Sequence, residues 1–365
     1  MRKYLLFSCL LLQILTALEL EHSGQMTLWF KETPVNQANQ LGIRYLPEFH
    51  FTELPGFPDW RQTGSGGLTE DAANIDADIV LNAVNMAGAA PKLKPYRLWA
   101  RWKSEHAEAR LGLQKINFGS ATIYRPLQWF DSIDPLDPLG FTEGVHAVLL
   151  RYYAHRFNIW GWYLNFNKEL KGMETLPTAA DAAEAAPDDG SEYGGRIELP
   201  LAFGEGSFSF HQRKADISGI PGIAYLTSDT IVPEQRLGLD LKLDLLIGFW
   251  LEGARIQRKT AVKELSAEEL TTIGADYTFG LGNGLHVLLE KFNRELPGHS
   301  EHYYGLLLDY PLNIYDKLLG LQQFNARENA TQLSWQRVYD DLTLQVTAML
   351  QEKNNGWQVM AAYNY

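Results

Sequence analysis

One pattern constrains the fold of this chain more than any other: short segments in which apolar and polar residues alternate, repeated as far as the C-terminus. In the segment 236–244, every odd position is Leu and every even position is charged or Gly. A helix would spread these leucines around its whole circumference, whereas a strand places them on one face. The pattern therefore predicts an all-β protein.

The same alternation occurs along most of the chain, with turn signals between the segments. Further alternating segments are 75–83, 96–103, 107–114, 197–203, 273–279 and 357–365. Short turn signals occur at Gly282-Asn283-Gly284, Asp340-Asp341 and Asn354-Asn355-Gly356. We count about 17 candidate strands from residue 40 onward, and because bacterial barrels prefer even numbers, residues 26–30 are expected to add an eighteenth. Sixteen is the competing count.

The lengths of the predicted connections also form a pattern. Four long polar connections are 118–143, 171–194, 217–234 and 258–270. With the C-terminal strand as reference, all four fall at the opposite end from the short turns, as in outer-membrane barrels with short periplasmic turns and long external loops. This predicts a transmembrane, antiparallel, up-and-down β-barrel of about 16–18 strands. The Gly- and Pro-rich segment 55–71 is the exception, either a periplasmic plug or a sign that the first strand pair is misplaced.

The N-terminal residues predict export. Arg2 and Lys3 precede an apolar run, so residues 1–17 are expected to be a signal peptide and residues 18–365 the barrel. No later segment has the roughly 18 consecutive apolar residues of a transmembrane helix, so any membrane crossing is through strands. Cys9, the only cysteine, lies in the predicted signal peptide, which leaves no thiol for a disulfide or a metal.

Composition favours a membrane barrel over a nucleic-acid-binding protein. The formal charge of −12 argues against a nucleic-acid partner. The 10 Trp, 17 Tyr and 17 Phe, many near the ends of alternating segments, suit aromatic girdles in contact with outer-membrane lipid. An aromatic-rich, secreted β-sandwich is the alternative. Much of the acidity lies in 171–194, which is expected to be a solvated extracellular loop.

If the apolar faces meet lipid, the other faces line a lumen. Basic and acidic residues on opposing walls would then create a transverse field that tunes ion selectivity. The alternative is that these charges pair across strands and only solvate the lumen. The predicted lining residues are Arg97, Arg101, Arg110, Arg151, Arg196, Glu252 and Glu290.

The segment 118–143 is the leading candidate for a pore constriction. It is too long for a hairpin turn, and Trp129 and Phe130 argue against disorder. Folded toward the lumen, it would narrow the pore. Its predicted pore residues are Arg125, Asp131, Asp134 and Asp137. The Asp spacing could bind Ca²⁺, but the Gly and Glu of an EF-hand loop are missing, so turn and capping roles are favoured and no metal site is predicted.

Signals for catalysis are weak. The nine histidines are dispersed along the chain. The sequence contains no G-x-S-x-G motif, no H-E-x-x-H motif and no phosphate-binding Gly loop. We therefore predict no catalytic residue, no cofactor and no enzymatic activity. A barrel enzyme, or a secretion or adhesion anchor without an open pore, is the alternative to a channel.

The block Arg110-Leu-Gly-Leu-Gln-Lys-Ile-Asn-Phe-Gly119, followed by 125–131 and 134–138, resembles porin-like bacterial outer-membrane barrels, including alginate-export and Bacteroidota-type proteins. Segments 274–279 and 284–290 resemble their later strands. The closing Tyr363-Asn-Tyr365 is similar to the aromatic signal read by outer-membrane assembly machinery. The resemblance implies an outer-membrane channel for small polar or charged solutes, with Arg110, Gln114, Arg125 and Asp131 near a constriction.

The block departs from some relatives, because it has Phe118-Gly119 where they have Trp-Gly. The resemblance therefore does not imply a particular solute. A homotrimer is compatible with such a barrel.

Overall fold

The computed structural model describes residues 19–32, 39–54, 74–130, 132–133, 142–165, 190–326, 329–351 and 355–365. Several predictions fall outside these ranges and stay predictions: the signal peptide at 1–17, the 55–71 connection, most of the acidic 171–194 segment, and Asp131, Asp134 and Asp137.

Strands dominate the described chain. In order, they are β1 (Glu19–Glu32), β2 (Asn39–Leu54), β3 (Asn74–Met86), β4 (Lys92–Lys103), β5 (Ala107–Gln114), β6 (Ser132–Ile133), β7 (Thr142–Glu143), β8 (Val145–Tyr153), β9 (Asn158–Leu164), β10 (Glu192–Leu201), β11 (Gly204–Asp216), β12 (Ile231–Asp244), β13 (Gly248–Arg258), β14 (Ala267–Phe279), β15 (Leu285–Leu296), β16 (His299–Pro311), β17 (Asp316–Asn325), β18 (Asn329–Tyr339), β19 (Leu342–Gln351) and β20 (Asn355–Asn364). The two helices among the described residues are single 3-10 turns, Ile223–Tyr225 and Lys263–Leu265, and neither has the length and apolar character to span a bilayer.

Eighteen of these strands form one closed antiparallel barrel, and only β6 and β7 pair separately. Each barrel strand pairs with its neighbours in sequence, and β1 closes the ring by pairing with both β2 and β20. Closure leaves no sheet edge unpaired. The up-and-down barrel is confirmed, the count is eighteen rather than sixteen, and β1 contains the predicted extra strand at 26–30.

Side chains alternate between the two surfaces of the barrel as the sequence pattern predicts. On β12, Leu239 is 62% exposed on the outside, whereas Arg236 and Asp240 are buried on the inside. The same holds on β3, where Asp78 is buried among residues that face inward. The apolar residues therefore cover the outer surface of a cylinder, which excludes the stacked sheets of a β-sandwich.

The two ends of the barrel differ in the length of their connections. At the end that carries the C-terminus, the longest described turn is 280–284, with five residues. The opposite end carries the long connections 115–144, 165–191, 217–230 and 259–266. We call these the short-turn end and the long-loop end. The predicted segregation of loop lengths is confirmed, and the segment 55–73 connects strands at the short-turn end.

Four predicted boundaries are wrong. Strands β10, β12 and β14 already begin at Glu192, Ile231 and Ala267, so the loops before them end earlier than the predicted 171–194, 217–234 and 258–270. The polar residues at the start of these strands belong to the sheet because its hydrogen bonds continue there. Phe203 lies in a turn, since β10 ends at Leu201.

Candidate functional site

The first part of the β5–β8 connection folds into the barrel. We call residues 115–130 the lumen loop. Its apolar side chains Phe118, Leu127, Trp129 and Phe130 are buried and belong to one hydrophobic cluster. That cluster also contains inward-facing residues of β8, β9, β13, β14 and β15: Leu149, Trp162, Ile256, Leu270 and Phe292. The predicted loop folded toward the lumen is confirmed, and it packs against the inner wall instead of hanging free.

Two carboxylates fix the path of the lumen loop. Glu252 on β13 accepts the backbone N–H groups of Ala121 (2.9 Å) and Leu127 (2.6 Å). Glu290 on β15 accepts those of the next turn, Thr122 (2.6 Å), Ile123 (3.0 Å) and Tyr124 (2.7 Å), together with Trp250 Nε1 (3.1 Å). A loop without helix or sheet pairing needs such acceptors because a buried, unbonded N–H is costly.

These anchors correct the predicted acidic wall. Glu252 is fully buried and Glu290 is 3% exposed, so neither carboxylate lines an open pore. Both lie on the inner wall, as the alternation predicts, but the lumen loop covers them. The sequence carried a usable signal: Glu252 is the lone charge among inward-facing Trp250, Ala254 and Ile256, which is typical of a buried acceptor.

Glycines let the loop approach the wall. A Cβ added at Gly238 on β12 would overlap the Leu127 side chain, and one at Gly305 on β16 would lie 2.7 Å from Ile123 Cδ1. Tyr124 also donates its hydroxyl to the Tyr304 carbonyl on β16 (3.2 Å). The lumen loop therefore crosses from β5 to the far side of the barrel, and we call the inner faces of β8–β16 the covered wall.

Four of the predicted arginines form a basic region beside the loop. Arg97 and Arg101 lie on β4, Arg110 on β5 and Arg151 on β8, all facing inward. Each guanidinium lies over an aromatic ring at 3.9–5.6 Å, an arrangement that holds a cation by its attraction to the ring face.

The same arginines also pair with carboxylates. Glu108 lies 3.1 Å from Arg110 and 3.7 Å from Arg151, and Asp76 accepts from Arg101 Nε at 3.1 Å. The two sequence interpretations, a lumen lining and cross-strand pairing, therefore describe the same residues. Glu108 was missed by the sequence reasoning, although its position two residues before Arg110 places both on one face.

The remaining predicted residues lie elsewhere. Arg196 is buried in the covered wall, with Asp240 at 2.7 Å, Glu198 at 2.8 Å and the Phe118 ring at 4.9 Å. Gln114 is fully buried and donates to the carbonyl oxygens of Ala147 and Arg110, so it supports the wall and cannot meet a solute. These two correct the predicted pore lining.

Arg125, in the lumen loop, is half-buried and donates to the side-chain oxygen of Asn117. Within the described residues, no group of three or more His, Cys, Asp or Glu side chains has the spacing to hold a metal ion.

A cavity of about 520 Å³ lies against β1–β5 and the end of β20. Its lining includes the predicted Arg97 and Arg110. The sequence reasoning did not select its other charged and aromatic residues: Glu48, Asp78, Tyr96, Trp99, Lys115 and Tyr365. The available signal was that the polar faces of two consecutive strands change sign, from acidic on β3 with Asp76 and Asp78 to basic on β4 with Arg97 and Arg101.

No protein-family model matches this sequence, and no curated protein matches it. Solved structures share the fold. Pseudomonas aeruginosa OccK5 (OpdH) has a TM-score of 0.59 at 12% identity, covering 95% of this chain and 98% of that one. In-vitro folded OmpT, an outer-membrane protein of Vibrio cholerae in its trimer form, has a TM-score of 0.55 at 10% identity, covering 96% and 100%.

A mutant of the Rh. blastica porin has a TM-score of 0.51 at 12% identity, covering 95% of this chain and 100% of that one. At these identities the similarity concerns the fold. The chain is a closed β-barrel of the type found in bacterial outer-membrane porins. The resemblance to alginate-export and Bacteroidota-type proteins stays a prediction.

Proposed function

We propose that this protein is a channel of the bacterial outer membrane through which small polar or charged solutes diffuse. The observation that carries the proposal is the asymmetric filling of the barrel. The lumen loop packs on the covered wall, while a cavity with charged lining lies against β1–β5. A barrel of eighteen strands encloses more space than its own inward side chains fill, unlike one of eight.

The outer surface supports a membrane location. Exposed apolar residues alternate along the barrel strands, and aromatic side chains lie toward both ends. Tyr304 and Phe324 stack at 5.3 Å, and Tyr315 and Tyr339 contact at 5.9 Å beside a short turn. Such girdles suit the two interfaces of a bilayer. Because outer-membrane barrels have short turns on the periplasmic side, the short-turn end faces the periplasm.

The basic region gives the channel its proposed preference for anions. Guanidinium groups at the lumen surface raise the local concentration of anions and tune selectivity. Glu108 and Asp76 offset part of this charge, so we expect a moderate preference.

The test is recording in planar bilayers. The wild-type protein should give discrete conductance steps, and a silent barrel would favour the enzyme or anchor alternative. Replacing Arg97, Arg101 and Arg110 together with Gln should lower the anion preference measured from reversal potentials by about threefold or more. The matched control is Arg255→Gln, which removes an exposed arginine from the outer surface. An unmoved reversal potential in the triple variant would refute the arginine filter.

Homotrimerisation and recognition of the C-terminal Tyr363-Asn-Tyr365 by assembly machinery belong to the same proposal. The trimer form of the Vibrio cholerae protein supports the first. Chemical cross-linking in native membranes should give a trimer band, and deletion of the last three residues should reduce the amount of barrel in the outer membrane.

A further inference from the structure

The cavity against β1–β5 carries opposite charges on adjacent strands. Strand register places Glu48, Val80 and Arg97 in one row across β2, β3 and β4, and His50, Asp78 and Trp99 in the next row. Neighbouring strands lie about 4.8 Å apart, so acidic and basic side chains two strands apart start about 10 Å from each other. The cavity is therefore dipolar across its width.

Asp78 is an unmatched acceptor on the acidic side. Its side chain lines the cavity and is only 7% exposed, yet Oδ1 has no hydrogen-bond partner among the described residues. A buried carboxylate oxygen without a donor is costly, and such groups in native proteins usually meet water, an ion or a ligand. The acidic side of the cavity thus offers a place for an N–H donor carrying positive charge.

Arg110 provides the complementary feature on the basic side. Its guanidinium lies 4.6 Å from the Trp99 ring centroid and 3.1 Å from Glu108, so its position is fixed before any solute arrives. Its Nε nevertheless has no hydrogen-bond acceptor among the described residues. Gly112, two residues along β5 and opposite Trp99, has no side chain to block the approach to that ring. A preorganised donor binds an anion at lower entropic cost.

A solute with one sign of charge suits this cavity poorly. A simple anion meets Arg97, Arg110 and Lys115 but is repelled by Glu48 and Asp78, and a simple cation meets the reverse. A zwitterion satisfies both sides at once, because its ammonium can donate to Asp78 while its carboxylate accepts from Arg110. The volume of about 520 Å³ lies in the range of small-molecule pockets.

We propose that the cavity is a binding site for compact zwitterions of the α-amino-acid class, with Asp78 as the ammonium acceptor and Arg110 as the carboxylate donor. This inference rests on the proposed channel function and names its solute class. The site makes permeation of such solutes saturable, because a solute held at both ends must exchange these contacts for water before it leaves.

The test compares three probes with the same three-carbon skeleton. L-alanine carries both charges, L-lactate replaces the ammonium with a hydroxyl, and L-alaninol replaces the carboxylate with a hydroxymethyl group. Isothermal titration calorimetry on the intact, detergent-solubilised barrel at neutral pH should show alanine binding about tenfold or more tightly than either analogue, since each analogue loses one charged hydrogen bond. Equal binding of alanine and lactate would show a plain anion site and overturn the proposal.

Two variants assign the roles. Asp78→Asn should weaken alanine binding about tenfold and leave lactate binding within about twofold, whereas Arg110→Gln should weaken both. The matched control is Asp276→Asn, a partly exposed carboxylate on β14 outside the cavity, which should leave alanine binding unchanged. Equal losses for alanine and lactate in Asp78→Asn would contradict its role as ammonium acceptor. The comparison of probes on the wild-type protein needs no variant to fold.

Conductance of the same preparations separates this inference from the channel proposal. A barrel that conducts but does not bind alanine more tightly than its analogues would refute the zwitterion site alone. A barrel that binds alanine more tightly but gives no conductance steps would refute the channel proposal and leave the binding site in place.

Discussion

The covered wall and the inner faces of β18 and β19 are built from the same alternating strands but differ in chemistry. The covered wall contains an apolar cluster, with Leu149, Ile256 and Phe292 packed under the lumen loop, and it also contains buried charges such as Arg236 and Asp240. On β18 and β19 the inward residues are mostly amides and hydroxyls, and Ser334 contacts Thr347 at 3.0 Å and accepts from Gln345 at 2.8 Å. The outer faces of both regions are mainly apolar.

The residues on the inner face of a barrel strand reflect what that face contacts in the folded protein. The outer face is apolar along the belt that meets lipid, whichever residues lie on the inner face. The inner face depends on whether another part of the chain covers it. A strand with apolar residues on both faces, such as β8 (Val145–Tyr153), therefore marks the wall against which a loop packs. Polar inner residues alone do not identify a wall that faces water, because the buried charges of β10–β12 also lie on the covered wall.

The largest expected effect comes from the charge cluster of the covered wall near the long-loop end. Glu234 is fully buried and accepts from Arg213 (2.6 Å), Arg236 (2.8 Å) and Arg258 (2.7 Å). Glu234→Gln removes the buried carboxylate that these three guanidinium groups share, which should cost about 3–5 kcal/mol of unfolding free energy. Urea unfolding in lipid vesicles, followed by Trp fluorescence, measures it.

The control is Glu269→Gln on the outer face of β14, where the carboxylate is exposed and lies 3.4 Å from Arg255. An exposed pair contributes at most about 1 kcal/mol. Similar losses in the two variants would mean that burial of the Glu234 cluster does not matter.

The next effect tests whether the lumen loop is what makes the covered wall different. Replacing Glu252 and Glu290 together with Ala removes the acceptors of five loop N–H groups. The loop should then leave the wall, because its N–H groups can bond to water in the lumen, and single-channel conductance should rise about twofold. Glu198→Gln, also on the inner wall but without a bond to the loop, is the control. Unchanged conductance in the double variant would show that the loop does not narrow the pore.

The smallest effect concerns one methyl group. Gly238→Ala would push Leu127 away from the wall, at a cost of about 1–3 kcal/mol for overpacking. Gly253→Ala, on the outer face of β13, has its nearest atom at 3.7 Å and should stay within about 0.5 kcal/mol of the wild type. Urea midpoints of the two variants give the difference, and equal midpoints would mean that the loop does not press on Gly238.

The barrel was predictable because the alternation that identifies each strand lies within that strand's own sequence. Alternation identified the strands, and the segregation of short and long connections to opposite ends predicted the closed barrel. Boundaries near the long-loop end were less accurate because β12 and β14 begin beyond the apolar belt, with Gln235 and Glu269 on their outer faces. Beyond the apolar belt the outward residues are polar, so the alternation no longer marks the strand although its hydrogen bonds continue.

The site was only partly predictable because it depends on contacts between distant segments. Local alternation placed Arg97 and Arg110 on the inner wall. It could not show that the lumen loop would cover the Glu252 carboxylate. Ala121, whose N–H donates to that carboxylate, lies 131 residues earlier in the chain. Nor could it bring Asp78 and Lys115 into one cavity.

The seam between β1 and β20 has a consequence for biogenesis. It joins the first and last strands, so that Gln25 bonds to Asn364 across 339 positions of the chain, and Gly24 exchanges backbone hydrogen bonds with Tyr365. Such distant pairing forms slowly. Until β20 pairs with β1, the folding intermediate has two unpaired strand edges that can pair with other chains and aggregate. The yield of closed barrels therefore depends on how well the cell protects this intermediate.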